Sequence, residues 1–291
     1  MTPRRAARLT TRARALGAPA LVVVALLLTG CSGATASPPA ASRSAAAAPA
    51  PVSRPSSPPR PLQVVGLGDS VTAGTACDCE DFVDLYAEGL SRRWHRTTRA
   101  TNLGQGGLTS DGLLAAVEDD GTERADIASA DVVLVTIGAN DLMPALHAWD
   151  DGSGQDERTC GGTCGTTDLD RVGRTIQATL AAIDQLRGGR RTLVLVTTYW
   201  NVFEDGDVAA ADRGQEYLRW SDGLTRRLNE RIAAAARATG AVPVDLYAAF
   251  KGDGADDPTA LLAGDGDHPN AAGHRVIAEA LLTATPETPA R

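Results

Sequence analysis

Lysine is almost missing from this chain: Lys251 is the only one, and every other basic side chain that is charged at all pH values is arginine. Acidic residues are missing from the first 60 positions, which hold eight Arg. The whole chain carries −8, so residues 61–291 carry −16. A segment that acidic offers no basic face to a phosphate backbone, which excludes nucleic acid as a partner. The chain also lacks an unbroken apolar run long enough for a membrane span. Its longest candidate, residues 15–28, is interrupted by Gly17 and Pro19. The C-x-x-C spacing of thiol redox motifs and zinc ribbons is absent too, since the cysteines other than Cys31 are spaced C-x-C at Cys77 and Cys79 and C-x-x-x-C at Cys160 and Cys164.

What the first 61 residues do contain reads as an address rather than a fold. Arg4, Arg5, Arg8, Arg12 and Arg14 form a basic start, followed by the broken apolar run and by Leu28-Thr29-Gly30-Cys31. That tetrapeptide resembles a bacterial lipobox, so residues 1–30 are expected to be a lipoprotein signal peptide and Cys31 the lipidated new N-terminus. Residues 31–61 are rich in Ala, Pro and Ser without hydrophobic periodicity, the composition of a disordered tether. At about 3.1 Å per residue a fully extended polyproline tether of this length reaches on the order of 90 Å. The expected location is the outer face of the bacterial cell membrane, through a lipid at Cys31. In that oxidising setting the even number of remaining cysteines suggests two disulfides, and the sequence leaves all three connectivities of Cys77, Cys79, Cys160 and Cys164 open.

Residues 62–285 are long enough for one sizeable core. Residues 62–67, 131–137, 192–197 and 241–246 are short, nearly continuous apolar runs, the pattern of strands covered on both faces. A weaker strand is expected over 99–103. Helical spacing fills the gaps: Phe82, Leu85, Tyr86 and Leu90; Leu169, Val172, Ile176, Leu180, Ile183 and Leu186; Tyr217, Leu218, Leu224, Leu228 and Ile232; Val276, Ile277, Leu281 and Leu282. Alternating strands and helices predict an α/β fold with a parallel sheet of about five strands. In such sheets chemistry gathers at the carboxyl ends of the strands.

Four short polar motifs stand at those ends. They are Gly68-Asp69-Ser70, Asn102-Leu103-Gly104-Gln105-Gly106-Gly107, Gly138-Ala139-Asn140-Asp141 and Asp265-Gly266-Asp267-His268. Each alone is ordinary turn chemistry. Together they supply the parts of nucleophilic catalysis. Ser70 needs a base. Of the four histidines, His95 ends an Arg-rich helix, His147 falls in the loop after Asn140, and His274 belongs to the last helix with a surface or packing role. His268 alone has an acid three residues away, Asp265, placed to hold one ring nitrogen. Asn140 and Gly107 can donate to a developing oxyanion. Asp69, beside the serine, reads as structural.

The order of these blocks resembles the GDSL, or SGNH, hydrolases. Gly68-Asp69-Ser70-Val71-Thr72-Ala73-Gly74 looks like their first block, with Val71 in place of the commonest leucine, and the other three motifs look like the second, third and fifth. The resemblance covers residues 62–285 and leaves 286–291 as a tail. It implies a three-layer α/β/α sandwich with a flavodoxin-like sheet. It implies Ser70 as nucleophile, His268 as base and Asp265 as its acid, with oxyanion donors from the Ser70 and Gly107 backbones and the Asn140 side chain. Gly104 and Gly106 are the alternatives to Gly107. No cofactor and no metal are implied. The expected function is extracytoplasmic hydrolysis of carboxylic esters (short acyl or acetyl esters of lipids, glycans or small molecules) by a monomer, through an acyl-serine. An acyltransferase of the same fold and a non-catalytic surface binding module are the alternatives. Residues 143–167 read as a long Gly- and Asp-rich insertion able to overhang the site. Tyr199, Trp200 and Phe203 read either as lining of an acyl or sugar pocket or as packing at a strand end.

Overall fold

The structure, a computed structural model, describes residues 59–119, 121–152 and 168–288, the side chain of Thr122 excepted. The signal over 1–30, Cys31, nearly all of the tether, Cys160, Cys164 and the last three residues lie outside these. Five strands form one parallel sheet: β1 (Leu62–Gly68), β2 (Thr98–Gly104), β3 (Val132–Thr136), β4 (Leu193–Thr197) and β5 (Val242–Val244), in the order β2-β1-β3-β4-β5. The central strands are the most apolar runs of the sequence. Val64, Val65 and Leu67 of β1 and all five residues of β3 are buried, because helices cover both faces.

Two groups of helices flank the sheet. One group packs α1 (Phe82–Trp94) against α9 (Ala271–Ala284), with α8 (Leu246–Lys251) beside α9. The other brings together α2 (Ser110–Glu118), α3 (Thr122–Ser129), α5 (Leu169–Leu186) and α7 (Gly214–Thr239). Two shorter helices, α4 (Met143–Asp150) and α6 (Gly206–Asp212), follow β3 and β4 near the strand ends. Among the described residues no helix is long and apolar enough to cross a membrane.

The chain runs from β1 outward to β2, then returns to pair β3 on the other side of β1. The order of strands therefore reverses at the β1/β3 pair, and the carboxyl ends of those two strands face a crevice, the place where open α/β sheets hold their ligands. Gly68 closes β1 there. It pairs with Gly104 on one side and Thr136 on the other, at φ +138°, and a Cβ on it would lie 1.8 Å from the Thr136 carbonyl oxygen. Only glycine fits that crossing of three strand ends.

Most expected elements are present, with two corrections. The segment after Asn140 was expected to be a loop that contains His147, but its first part is the helix α4, with Pro144 in its first turn and His147 in its last. The helix that carries Tyr217, Leu218, Leu224, Leu228 and Ile232 is α7 at Gly214–Thr239, and a separate helix that the periodicity does not show, α6, precedes it.

Candidate active site

Ser70 is the second residue after β1. The chain makes one helical turn there, with Ala73 N–H donating to the Asp69 carbonyl (3.0 Å) and Thr75 N–H to the Ser70 carbonyl (3.0 Å). This is a single turn, not a helix; α1 begins only at Phe82. Asn102 braces the turn from β2: its Nδ2 donates to the Thr72 carbonyl (2.6 Å) and to Asp81 Oδ2 (2.8 Å), and Asp81 is the N-cap of α1. Asn102 Oδ1 accepts from Gly104 N–H (2.9 Å), which occupies that donor. Of the three glycines considered for the oxyanion, Gly106 and Gly107 are left with backbone N–H groups that no acceptor among the described residues takes. Gly107 has a left-handed backbone (φ +78°) with open space around it.

Asn140 lies in the single 3-10 turn after β3. Its Nδ2 donates to the carbonyl of Leu108, the residue after Gly107 (3.0 Å), so the second and third motifs are tied together. Its neighbour Asp141 is buried and accepts from Ser110 N–H (2.8 Å) and Ser110 Oγ (2.7 Å), which fastens the turn to the start of α2. Burial pushes the Asp141 carboxyl up, against the pull of those two Ser110 donors.

The fourth motif forms a tight loop before α9. Asp265 Oδ1 accepts from the backbone N–H of Asp267 (3.0 Å) and of His268 (3.1 Å), and Oδ2 lies 2.8 Å from His268 Nδ1. Burial would raise the Asp265 carboxyl, but these donors outweigh it and hold it below the usual carboxylate range. The Asp is therefore ionised and fixes the ring by its Nδ1–H, which leaves Nε2 as the free nitrogen. Asp267 lies farther from the ring, 3.9 Å from Nδ1. Its carboxyl is pushed up to about 6 by desolvation, against the His268 charge and with the help of nearby acids.

These pieces meet in one cavity of about 130 Å³. Ser70, Asn140 and His268 line it, with Met143 and Leu146 of α4 and residues 199–204 after β4 forming its walls. Ser70 and His268 share the cavity without a hydrogen bond between them. Asp265 holds the side of the His268 ring at Nδ1, and neither it nor Gly107 lines the cavity.

A model of the GDSL-like Lipase/Acylhydrolase family matches residues 67–276, from the end of β1 into α9. The chain belongs to this family. As a member it is a serine ester hydrolase, and all four motifs fall inside the matched segment. Its fold is that of solved structures. The lipase Lip_vut3 from a goat rumen metagenome superposes with a TM-score of 0.59 at 22% identity, over 77% of this chain and 97% of that one. A catalytic mutant of Axe2, an acetylxylan esterase from Geobacillus stearothermophilus, gives 0.54 at 20% identity, over 79% and 97%. No functionally curated protein sequence matches the chain.

The Asp of the family's first block has its own buried network here. Asp69 is fully buried; it accepts from Thr136 Oγ1 (2.9 Å), from Val71 N–H (3.1 Å) and from the Tyr199 hydroxyl. Burial pushes its carboxyl up to about 6 despite these donors. Tyr199, beside it, is raised well above its ordinary value by burial and by the carboxylate. Tyr199, Trp200 and Phe203 thus combine the two roles the sequence left open. They line the cavity, and they also pack: Trp200 stacks on Phe250 at 4.2 Å and Phe203 on Trp220 at 5.7 Å.

Sequence reasoning missed Asn201, Glu204 and Tyr217 as wall residues. Asn201 Oδ1 accepts from Val202 N–H (2.8 Å) and Thr225 Oγ1 (2.9 Å), which holds the wall to α7. For Asn201 and Glu204 the available signal was position, since residues that follow a central strand's carboxyl end face the crevice; Tyr217, inside α7, carries no such mark.

Two histidine and cysteine expectations also resolve. His274, fully buried, accepts from Phe82 N–H at Nδ1 (3.2 Å) and so joins α9 to α1, the packing rather than the surface role. Cys77 is bonded to Cys79, the smallest of the possible rings. These two sulfurs and His274 come within 4.8 Å of one another. The donor set does not suit a metal: the sulfurs are spent in the disulfide, and a ring that accepts at Nδ1 carries its proton on Nε2.

Proposed function

We propose that Ser70 is acylated during ester hydrolysis, with His268 as its base, Asp265 as the orienting acid, and the Ser70 N–H, Gly107 N–H and Asn140 Nδ2 as oxyanion donors. One observation carries this reading: Ser70, Asn140 and His268 face a single cavity while Asp265 holds the far nitrogen of the His268 ring at 2.8 Å. In the reaction Ser70 Oγ attacks the ester carbonyl carbon and His268 Nε2 takes its proton. The tetrahedral oxyanion collapses, the alcohol leaves with the proton from His268, and water repeats the sequence on the acyl-serine.

Cavity size points to the acyl group. A cavity near 150 Å³ holds a guest about the size of benzene, and this one is about 130 Å³. The substrate class is therefore short-acyl esters, an acetyl ester of a glycan among them, rather than long fatty acyl chains. The basic start, the apolar run and the lipobox-like Leu28-Thr29-Gly30-Cys31 support export with a lipid anchor at Cys31, and with it an activity outside the cell.

Incubation with a fluorophosphonate should modify Ser70, located by peptide mass spectrometry, and Ser70→Ala should lose both labelling and hydrolysis of a short aryl ester. Substituting His268→Ala should cost at least about 10³-fold in kcat, and Asp265→Asn less. Across aryl esters from acetyl to decanoyl, kcat/KM should peak at two to four carbons. Full activity in Ser70→Ala sinks the acyl-serine, and a peak at long chains sinks the substrate class.

A further inference from the structure

The chain's single lysine is buried. Lys251 ends α8 with 7% of its surface exposed, and its Nζ lies 2.7 Å from Asp205 Oδ2, on a residue 4% exposed. A second acceptor, Asp222 Oδ1 of α7, lies at 3.2 Å. Asp222 is itself held by the Tyr247 hydroxyl (2.6 Å) and by Arg226 Nε (2.8 Å). Removing such an ion pair from water is costly, and apolar replacements are often at least as stable. Stability alone does not account for it.

Its place does. Asp205 follows Glu204, the last residue of the cavity wall, and is the N-cap of α6. Its backbone N–H donates to the carbonyl of Gly266 at 2.7 Å, in the middle of Asp265-Gly266-Asp267-His268. Gly266 is left-handed (φ +69°), and a Cβ there would lie 2.6 Å from Val208 Cβ of α6. The loop is therefore pressed against α6 through a glycine that no side chain can replace. A second stitch runs from Asp207 N–H to Thr259 Oγ1 (2.8 Å). The cavity wall and the His268 loop are joined at Asp205, and Lys251 is the group that pins Asp205 to the body of the fold.

We propose that Lys251 and Asp205 are positioning residues, a buried ion pair that sets the Asp265–His268 loop against Ser70. This rests on His268 being the base for Ser70. Misplacement of a reacting group by about 1 Å costs on the order of 100-fold in rate. With the pair gone the loop loses its fixed anchor, so the effect falls on kcat and on the acylation step, while the rest of the wall stays tied to α7 through Asn201 and Thr225 (2.9 Å).

The test uses the full chain with Lys251→Met, Lys251→Arg and the double variant Lys251→Met with Asp205→Leu. The readouts are kcat and KM on a short aryl ester, the rate of Ser70 labelling by a fluorophosphonate, and the thermal midpoint. Lys251→Met should lower kcat and the labelling rate together by about 10- to 100-fold with KM within about twofold, and Lys251→Arg should return most of the loss. Should Lys251→Met not fold, the double variant decides, since it leaves no unpaired buried charge. A folded double variant with reduced kcat supports the proposal. A variant that melts well above the assay temperature and keeps kcat within about threefold of wild type overturns it. If Ser70→Ala or His268→Ala is active, the reading of the site fails instead; if both are inactive while the lysine variants are unimpaired, only the positioning role falls.

Discussion

Asp69 is the residue at which burial and charge oppose one another most strongly. It sits beneath the Ser70 turn with no exposed surface, and three donors aim at it. Its carboxyl still titrates near 6, against 3.8 for the ordinary group, because desolvation outweighs the donors. A raised carboxyl pKa means the folded state binds the proton more tightly than the unfolded chain. The stabilisation is complete below about pH 3.8, shrinks as pH rises, and is lost as pH passes 6. The rise from 3.8 to about 6 corresponds to roughly 3 kcal/mol in full, of which about 2 kcal/mol falls between pH 4 and 7. Comparing urea unfolding of wild type and Asp69→Asn over that range isolates the residue: the stability of wild type relative to the variant should fall by about 2 kcal/mol from pH 4 to 7. A difference that does not change with pH excludes the buried titration. Ser70, Asn140 and His268 were legible because each stands in a short block at a strand end. The clasp of Tyr199 on Asp69 was not, because it joins residues 130 positions apart and no local spacing records it.

Elements carry the site by their ends. The helix α9 begins three residues after His268, and its N-cap, Asn270, does more than cap. Asn270 Oδ1 accepts from Ala272 N–H (2.8 Å) and Gly273 N–H (3.1 Å), while Nδ2 donates to the carbonyls of Ala260 (3.0 Å) and Leu262 (2.8 Å). The cap thus ties the helix start to the chain that leads into the His268 loop. Asn270→Ala should cost about 2 kcal/mol in unfolding free energy, a cap of about 1 kcal/mol plus the two lost carbonyl partners. It should also lower kcat, and Asn270→Asp, which keeps the cap acceptor but turns an oxygen toward the Ala260 and Leu262 carbonyls, should not restore the melting temperature. Equal melting of wild type and Asn270→Ala excludes the cap's weight. The strands were legible at this scale since burial on both faces leaves continuous apolar runs. Helix α4 was not, because the Gly- and Asp-rich stretch after it drew the whole segment into one loop, although Pro144 marked a helix start. Helix α6 was missed for another reason. It has only seven residues, too few for a hydrophobic period, and it is fixed by its Asp205 cap and by the tertiary stitch of Asp207 to Thr259.

The whole molecule divides its charge as it divides its tasks. All eight basic residues of the first 60 positions stand without an acid among them, and residues 61–291 carry −16. The sheet, both helix groups and the candidate site lie within residues 59–288, a stretch that encloses the segment the family model matches at 67–276. An acidic domain is repelled by anionic lipid, while each basic residue near a membrane surface contributes about 1 kcal/mol of attraction. Under the proposed anchoring, membrane residence depends on the lipid at Cys31 and not on the surface of the hydrolase. A variant that begins at Pro59 should melt cooperatively, hydrolyse a water-soluble acetyl ester with kcat/KM within about twofold of the full chain, and stay in the supernatant when vesicles rich in anionic lipid are sedimented. The full chain expressed in a bacterium that processes lipoproteins should sediment with membranes, and Cys31→Ser should release it. Sedimentation of the Pro59 variant with the vesicles rules out the lipid as the anchor, and loss of its activity rules out a hydrolase domain that is complete without the first 58 residues.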